Sequence, residues 1–351
     1  MSFSLIQDGI LAPLLSDNEL AGLFSASADI KAMLEFEAAL AHSEAEHGVI
    51  PAEAAAAIAK SIGSVSPGLV KMAHGVVRDG LAVPSLIAQL RSGMDDDTAQ
   101  YLHFGATSQD LIDTSLMLRL KTVVKILIDR LAELEQALDQ LLDKYGQRPL
   151  MARTRMQAAL PISVGDRIMI WQAPLAKLRS RLAGLSETSL PVQFGGPTGT
   201  LDKLGDKGPA VRRTLAERLG LGDAGRCWHT DRTVIVDWAT AMSLITGSLG
   251  KLGQDIALMS QTGIEEITIK GGGTSSAMPH KANPVSAEIL VTLARFNATL
   301  LPGLHHALIH EQERSGAAWT LEWMVLPQIC VTTGAATRTA GKLLSQIEFS
   351  S

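Results

Sequence analysis

A chain of 351 residues, of which 46% are apolar, 19% charged and only 4% aromatic, can bury a large core and favours aliphatic packing between helices over an aromatic-rich β core. A formal charge of -5 and a pI near 6.0 exclude a basic surface for nucleic acid. Cys227 and Cys330 are far apart, which excludes a disulfide framework and a cysteine-ligated zinc and fits a reducing, cytoplasmic setting. The N-terminus has no basic region leading into an apolar run, and no stretch approaches 18 uninterrupted apolar residues, so a soluble protein with no membrane partner is expected.

In chain order, Ser16-Asp17-Asn18-Glu19 reads as a helix cap, and the Ala/Leu/Glu-rich stretch after it predicts helices to Gly48. Glycines and prolines between Pro51 and Gly105 break the pattern into short pieces, so residues 1–105 are expected to form a small N-terminal helical domain. Within it, Met94-Asp95-Asp96-Asp97-Thr98 reads as a solvated helix start with carboxylates near its positive end. Residues 113–145 contain neither glycine nor proline and place Leu116, Leu120, Val123, Val124, Leu131, Leu134 and Leu138 at helical spacing. At about 1.5 Å per residue that helix is roughly 50 Å long and needs equally long partners. Residues 162–187, 231–262, 285–310 and 317–346 supply them, giving an all-α protein whose residues 106–351 form a central bundle of five long helices. The small-residue surface of Leu244-Ile245-Thr246-Gly247-Ser248-Leu249-Gly250 predicts close packing that continues into other subunits.

Reactive groups concentrate in the connections. Lys270-Gly271-Gly272-Gly273-Thr274-Ser275-Ser276-Ala277-Met278-Pro279-His280-Lys281-Ala282-Asn283-Pro284 combines three glycines with hydroxyls, an imidazole, an ammonium and a carboxamide, the layout of an active-site loop on a rigid scaffold. Three more polar clusters are His103 to Asp110, Met151 to Gln157 and Glu311 to Ser315, each read as lying where the chain leaves or enters a long helix. The connection Gln193 to Thr200 reads as an ordinary turn, and Trp319 and Trp323, at i and i+4, as packing residues.

Ser275-Ser276-Ala277-Met278-Pro279-His280-Lys281-Ala282-Asn283-Pro284 resembles the GSSxMPxKxNP signature of the fumarase/aspartase superfamily, with Thr274 at the first glycine. The segment His103 to Asp110 resembles that superfamily's Thr-Ser-x-Asp motif, so the resemblance spans nearly the whole chain. It implies a homotetramer whose bundles merge into one core and whose active sites are shared between subunits. It also implies proton transfer by Ser276, a substrate carboxylate held by Lys281 and Asn283, further grip from Thr107 and Ser108, and a supporting carboxylate at Glu288. Ser275 would help hold the loop, as His103 and Gln157 would support the site. His280 is either exposed or a substrate contact. No metal and no organic cofactor is implied.

Many members carry a Thr-His pair after the first long helix, where this chain has Arg153-Thr154-Arg155-Met156-Gln157. An arginine is not an acid or base near neutral pH. The branch that lactonises 3-carboxy-cis,cis-muconate, in protocatechuate catabolism, needs no such histidine, because the adding group is a substrate carboxylate that is already ionised. Arg153, Arg155 and Arg314 then become electrostatic clamps for a small polycarboxylate substrate. A salt bridge between Arg155 and Glu288 is the structural alternative, and both can hold. The competing functions are a fumarate-releasing lyase such as adenylosuccinate lyase and a catalytically silent structural homo-oligomer. The superfamily's small C-terminal domain is expected to be absent or vestigial, because the sequence ends where the fifth long helix finishes.

Overall fold

The computed structural model describes residues 9–274 and 282–350. Five long helices dominate it: Ser108–Tyr145, Val164–Thr188, Thr233–Met259, Val285–His306 and Ala317–Gln346. They pack on one another as an up-and-down bundle. The first has the predicted periodicity, with Leu116, Leu120, Val123, Leu127, Leu131, Leu134 and Leu138 all buried. Its start is set by Thr107, whose backbone N–H donates to the Asp110 side chain (3.0 Å). The third helix is long and apolar enough to cross a membrane by length and composition alone, but Ile235, Trp238, Met242, Ile245, Leu249 and Ile256 lie in the bundle core. It touches the fourth helix through glycines. A Cβ on Gly253 would sit 2.6 Å from the Ala287 carbonyl oxygen, and one on Gly250 2.5 Å from the Ala294 Cβ. Gly247 and the partly exposed Leu244 instead face outward.

Ahead of the bundle lie the shorter helices Ala26–Glu46, Ala52–Ser64, Leu69–Asp79 and Val83–Arg91. Asp17 caps the helix at Asn18 by accepting from the Leu20 N–H, and Asp95 caps the turn at Asp96–Ala99 through the Thr98 N–H. Phe36, Leu40, Ile58, Leu86, Leu90 and Leu102 form a second apolar cluster. Val192, Phe194, Leu204, Val211 and Leu215, from the segment between the second and third long helices, complete it.

Four two-stranded ribbons tie the connections. Pro149–Thr154 pairs antiparallel with Gln157–Ser163, so the arginine-bearing segment is a β-hairpin rather than a helix terminus. Its turn residues Arg155 and Met156 both have positive φ, +48° and +68°, the signature of a tight hairpin turn that L-residues other than Asn and Asp adopt at a cost. Ile267–Ile269 pairs with Ile347–Phe349, and Gly273–Thr274 with Ala282–Asn283. The hairpin, the Gly-rich connection and the end of the fifth helix thus share one end of the bundle, where Arg148 also donates to the Phe349 carbonyl (2.7 Å).

The buried Glu44 makes the fold pH-sensitive. Glu44 is fully buried and neither carboxyl oxygen has a partner among the described residues; burial, then the neighbouring Glu37, pushes its pKa from 4.5 to about 9. The native state therefore holds a proton that the unfolded chain releases above 4.5. Glu44 lowers stability as the pH rises from about 4.5 to about 9, by ~1.4 kcal/mol per pH unit at most. Glu44→Gln removes that dependence: denaturant midpoints at pH 5.5 and 8 lie closer together for the variant than for the wild type, and equal separations would contradict this.

Candidate active site

The first turns of the first long helix carry a polar core. Asp110, with no exposed surface, accepts N–H donors from Thr107 (3.0 Å), Gly195 (2.9 Å) and Gly196 (2.9 Å), and its Oδ1 lies 2.8 Å from His229 Nε2. The connection Gln193 to Thr200 is therefore more than an ordinary turn, since two of its amides are fixed by a buried carboxylate. Thr114, one turn on, exchanges hydrogen bonds with the backbone of Gln193. Burial alone would pull the His229 imidazole down; the bond to Asp110, followed by the Cys227 sulfur, raises its pKa from 6.5 to about 9.

Asp113, on the same helix face, meets Arg232 in a two-pronged contact of 2.8 and 3.0 Å. Arg232 reaches Glu322 of the fifth long helix with its remaining donors, at 2.8 and 2.7 Å. All three side chains are at most 2% exposed. Burial opposes the Arg232 charge, but Asp113 and then Glu322 overcome that and hold its pKa above the ordinary value, while burial raises Glu322. Trp319 Nε1 donates to Asp113 (3.1 Å) and its ring meets Trp323 edge-on at 4.7 Å, so the first tryptophan is more than packing.

Around this core the structure gathers some of the expected site residues. Thr107 and Ser108 begin the helix and are half-buried. His103, at φ +59°, points its Nδ1 at Glu37 (2.5 Å), which fixes the segment leading to Thr107. Arg314 is held by the Gln109 carboxamide oxygen (3.0 Å) and the Pro197 carbonyl (3.1 Å). It lines a cavity of about 720 Å³ with Gly80, Trp319, Thr320, Trp323 and Met324.

The other expected residues that are described lie at the far end of the bundle. Arg153, Arg155 and Gln157 are on the hairpin, separated from Thr107 by the 38-residue first helix, about 57 Å at 1.5 Å per residue. Arg153 pairs with Glu266 (2.5 Å). Arg155 makes no ion pair among the described residues, so the salt bridge to Glu288 is not formed within this chain. Glu288 is exposed in the first turn of the fourth helix. Asn283 pairs with Gly273 beside a second cavity of about 560 Å³. Ser275, Ser276, His280 and Lys281 lie outside the described residues. Among the described residues no cluster of His, Cys, Asp or Glu is placed to hold a metal ion.

The fold agrees with comparison to known proteins. A lyase family profile matches residues 16–297, and the chain belongs to that family, within the fumarase/aspartase superfamily. Its relatives include the 3-carboxy-cis,cis-muconate cycloisomerase of Bradyrhizobium diazoefficiens, 38% identical over 93% of this chain and 74% of that protein. The Pseudomonas aeruginosa protein of the same name is 37% identical over 93% and 72%. The crystal structure of the 3-carboxy-cis,cis-muconate lactonizing enzyme from Pseudomonas putida superposes with a TM-score of 0.90 at 34% identity, covering 97% of this chain and 77% of that one.

Asp113, His229, Arg232 and Glu322 were not among the sequence candidates, and Asp110 entered only as the last residue of the Thr-Ser-x-Asp motif. Asp110 and Asp113 carried a signal, two carboxylates three apart on a face that continues as Leu116 and Leu120. The other three carried none, because their role depends on distant chain segments meeting. The Asp110–His229 pair has a direct check. Protonated His229 contributes stability that is complete below about pH 6.5 and lost as the pH rises through about 9. In Asp110→Asn, burial acts with less opposition and the His229 titration midpoint, read by NMR, falls towards or below 6.5; a midpoint still near 9 would contradict the assignment.

Proposed function

We propose that the protein is an intramolecular lyase that closes 3-carboxy-cis,cis-muconate to its lactone, 4-carboxymuconolactone, as a cytoplasmic step of protocatechuate catabolism. The observation that carries the reading is the hairpin tip. Where many superfamily enzymes place a histidine, this chain presents Arg155 at positive φ, exposed and without an ion-pair partner among the described residues, with Arg153 beside it. Backbone strain at an exposed cation is understandable where the cation must project from the scaffold. An arginine clamp suits a reaction in which the adding group is already a carboxylate and only needs to be held. The identity to cycloisomerases over more than nine-tenths of the chain supports the same choice.

In this mechanism a substrate carboxylate oxygen adds to the carbon β to another carboxylate. The electron pair of the double bond moves onto that second carboxylate, where Lys281 and Asn283 stabilise the added charge. Ser276 then delivers one proton to the α carbon, which completes the lactone, and a proton from solvent restores its hydroxyl. Thr107, Ser108 and Arg314 hold the remaining polar groups, with His280 as a further contact and Ser275, His103, Gln157 and Glu288 in support. No step calls for a metal or an organic cofactor.

Among the described residues, a single chain holds Thr107, Ser108 and Arg314 at one end, and Arg155, Asn283 and Glu288 at the other, of helices about 33 to 57 Å long, estimated from 22 and 38 residues. The reading therefore includes a homotetramer in which each site draws on several chains. The outward faces of Met169, Ile170, Leu244 and Gly247 on the second and third helices support such an assembly.

The test follows 3-carboxymuconate absorbance and adenylosuccinate cleavage with one preparation. Loss of the muconate signal alone is expected; cleavage of adenylosuccinate alone would favour a fumarate-releasing lyase, and no turnover a silent scaffold. Ser276→Ala lowers kcat by about 10²-fold or more with the oligomer intact. Arg155→Ala mainly raises KM, by about tenfold; an unchanged KM would make Arg155 structural.

A further inference from the structure

Gln109 is fully buried at the second position of the first long helix, next to Asp110 in the chain and one turn before Asp113. Its amide nitrogen donates to the His229 carbonyl (2.9 Å) and to Asp113 Oδ2 (3.2 Å), while its oxygen accepts from Arg314 Nε (3.0 Å). Chemistry fixes this orientation. A flipped amide would aim its N–H₂ at the guanidinium and its oxygen at a carbonyl and a carboxylate, turning three hydrogen bonds into three repulsions.

The partners of Arg314 are unusual for a cation. Both of its acceptors, Gln109 Oε1 and the Pro197 carbonyl (3.1 Å), are neutral, and among the described residues Arg314 has no carboxylate within ion-pairing distance. An acidic partner would position the guanidinium and cancel its charge together. A carboxamide positions it and leaves the charge, and the other three of its five N–H donors, for a ligand in the cavity lined with Trp319 and Trp323.

We infer that Gln109 is a positioning residue that aims Arg314 at a substrate carboxylate while keeping its positive charge uncancelled, and so sets the preference of this site for an anionic group. The inference rests on the proposed function, in which Arg314 binds a carboxylate of the substrate. It adds that the neutrality of position 109 matters as much as its hydrogen bond.

Steady-state kinetics on 3-carboxymuconate test it through a double-mutant cycle. Gln109→Met raises KM about tenfold with kcat changed less than about threefold, and in an Arg314→Ala background the same substitution changes KM less than about twofold. Gln109→Glu, similar in size and still an acceptor, also raises KM, because it cancels the charge. Equal effects of Gln109→Met in both backgrounds, or a Gln109→Glu KM equal to wild type, would overturn the inference. If neither position-109 variant assembles, Arg314→Lys decides: it keeps the charge but lacks the Nε–H that Gln109 addresses, so its KM rises as in Arg314→Ala, and a KM within about twofold of wild type would overturn the role. A wild-type enzyme inactive on the muconate would instead remove the functional reading itself.

Discussion

One arginine held between two carboxylates determines how the rest of this structure is arranged. Arg232 is shut off from solvent, and so are Asp113 and Glu322, which grip it from the first and fifth long helices. Moving three charges out of water is costly, and the arrangement persists because almost every donor and acceptor is met. The cluster carries one surplus negative charge, which the Trp319 indole N–H and the Gln109 amide N–H₂ help to absorb at Asp113. Removing any one charged member would strand another in the interior. The cluster thereby locks the starts of the first, third and fifth helices together, and Asp110, one turn away, adds the Gly195–Gly196 connection to the same joint. Thr107, Ser108 and Arg314 take their positions from that joint.

The opposite end of the bundle is built differently. Short ribbons tie that end, beside a buried Asp255 that faces Arg167 and Lys251, and the groups expected in the site are exposed there: Arg155 at a strained hairpin tip, Glu288 at a helix start, and the approach to the Gly-rich loop. A long rigid helix separates the two ends, so no motion within one chain could bring them together. The proposal that each site is completed by other copies of the chain follows from this length constraint, and the outward apolar residues of the second and third helices give those copies a surface to meet.

The five long helices were legible in the sequence because apolar residues recur at helical spacing over 20 to 40 positions without interruption, and their observed ends fall within a few residues of those expected. The hairpin was not. Its strands are short and its turn carries Arg155-Met156 in place of the Asn-Gly pair that would announce it. Thr107 and Ser108 are proposed from a motif, and Arg314 from its cluster; the structure brings the three to one end of the bundle. The buried ion cluster was illegible because a charged residue in a sequence reads as surface until its partners are known, and Arg232 and Glu322 are 90 residues apart. The same holds for Gln193 to Thr200, whose glycines give a turn but not the aspartate that pins it.

The division of the site between the two ends of the molecule can be tested without any structural method. Ser276→Ala, impaired through kcat, and Arg314→Ala, impaired through KM, are mixed in equal amounts, dissociated in mild denaturant, allowed to reassemble and assayed at substrate well below the KM of Arg314→Ala. If each site takes its serine and its arginine from different chains, random mixing restores about a quarter of wild-type turnover on 3-carboxymuconate. Activity no higher than that of the separate variants, with mixed oligomers shown to form, would contradict the account and place the whole site within one chain.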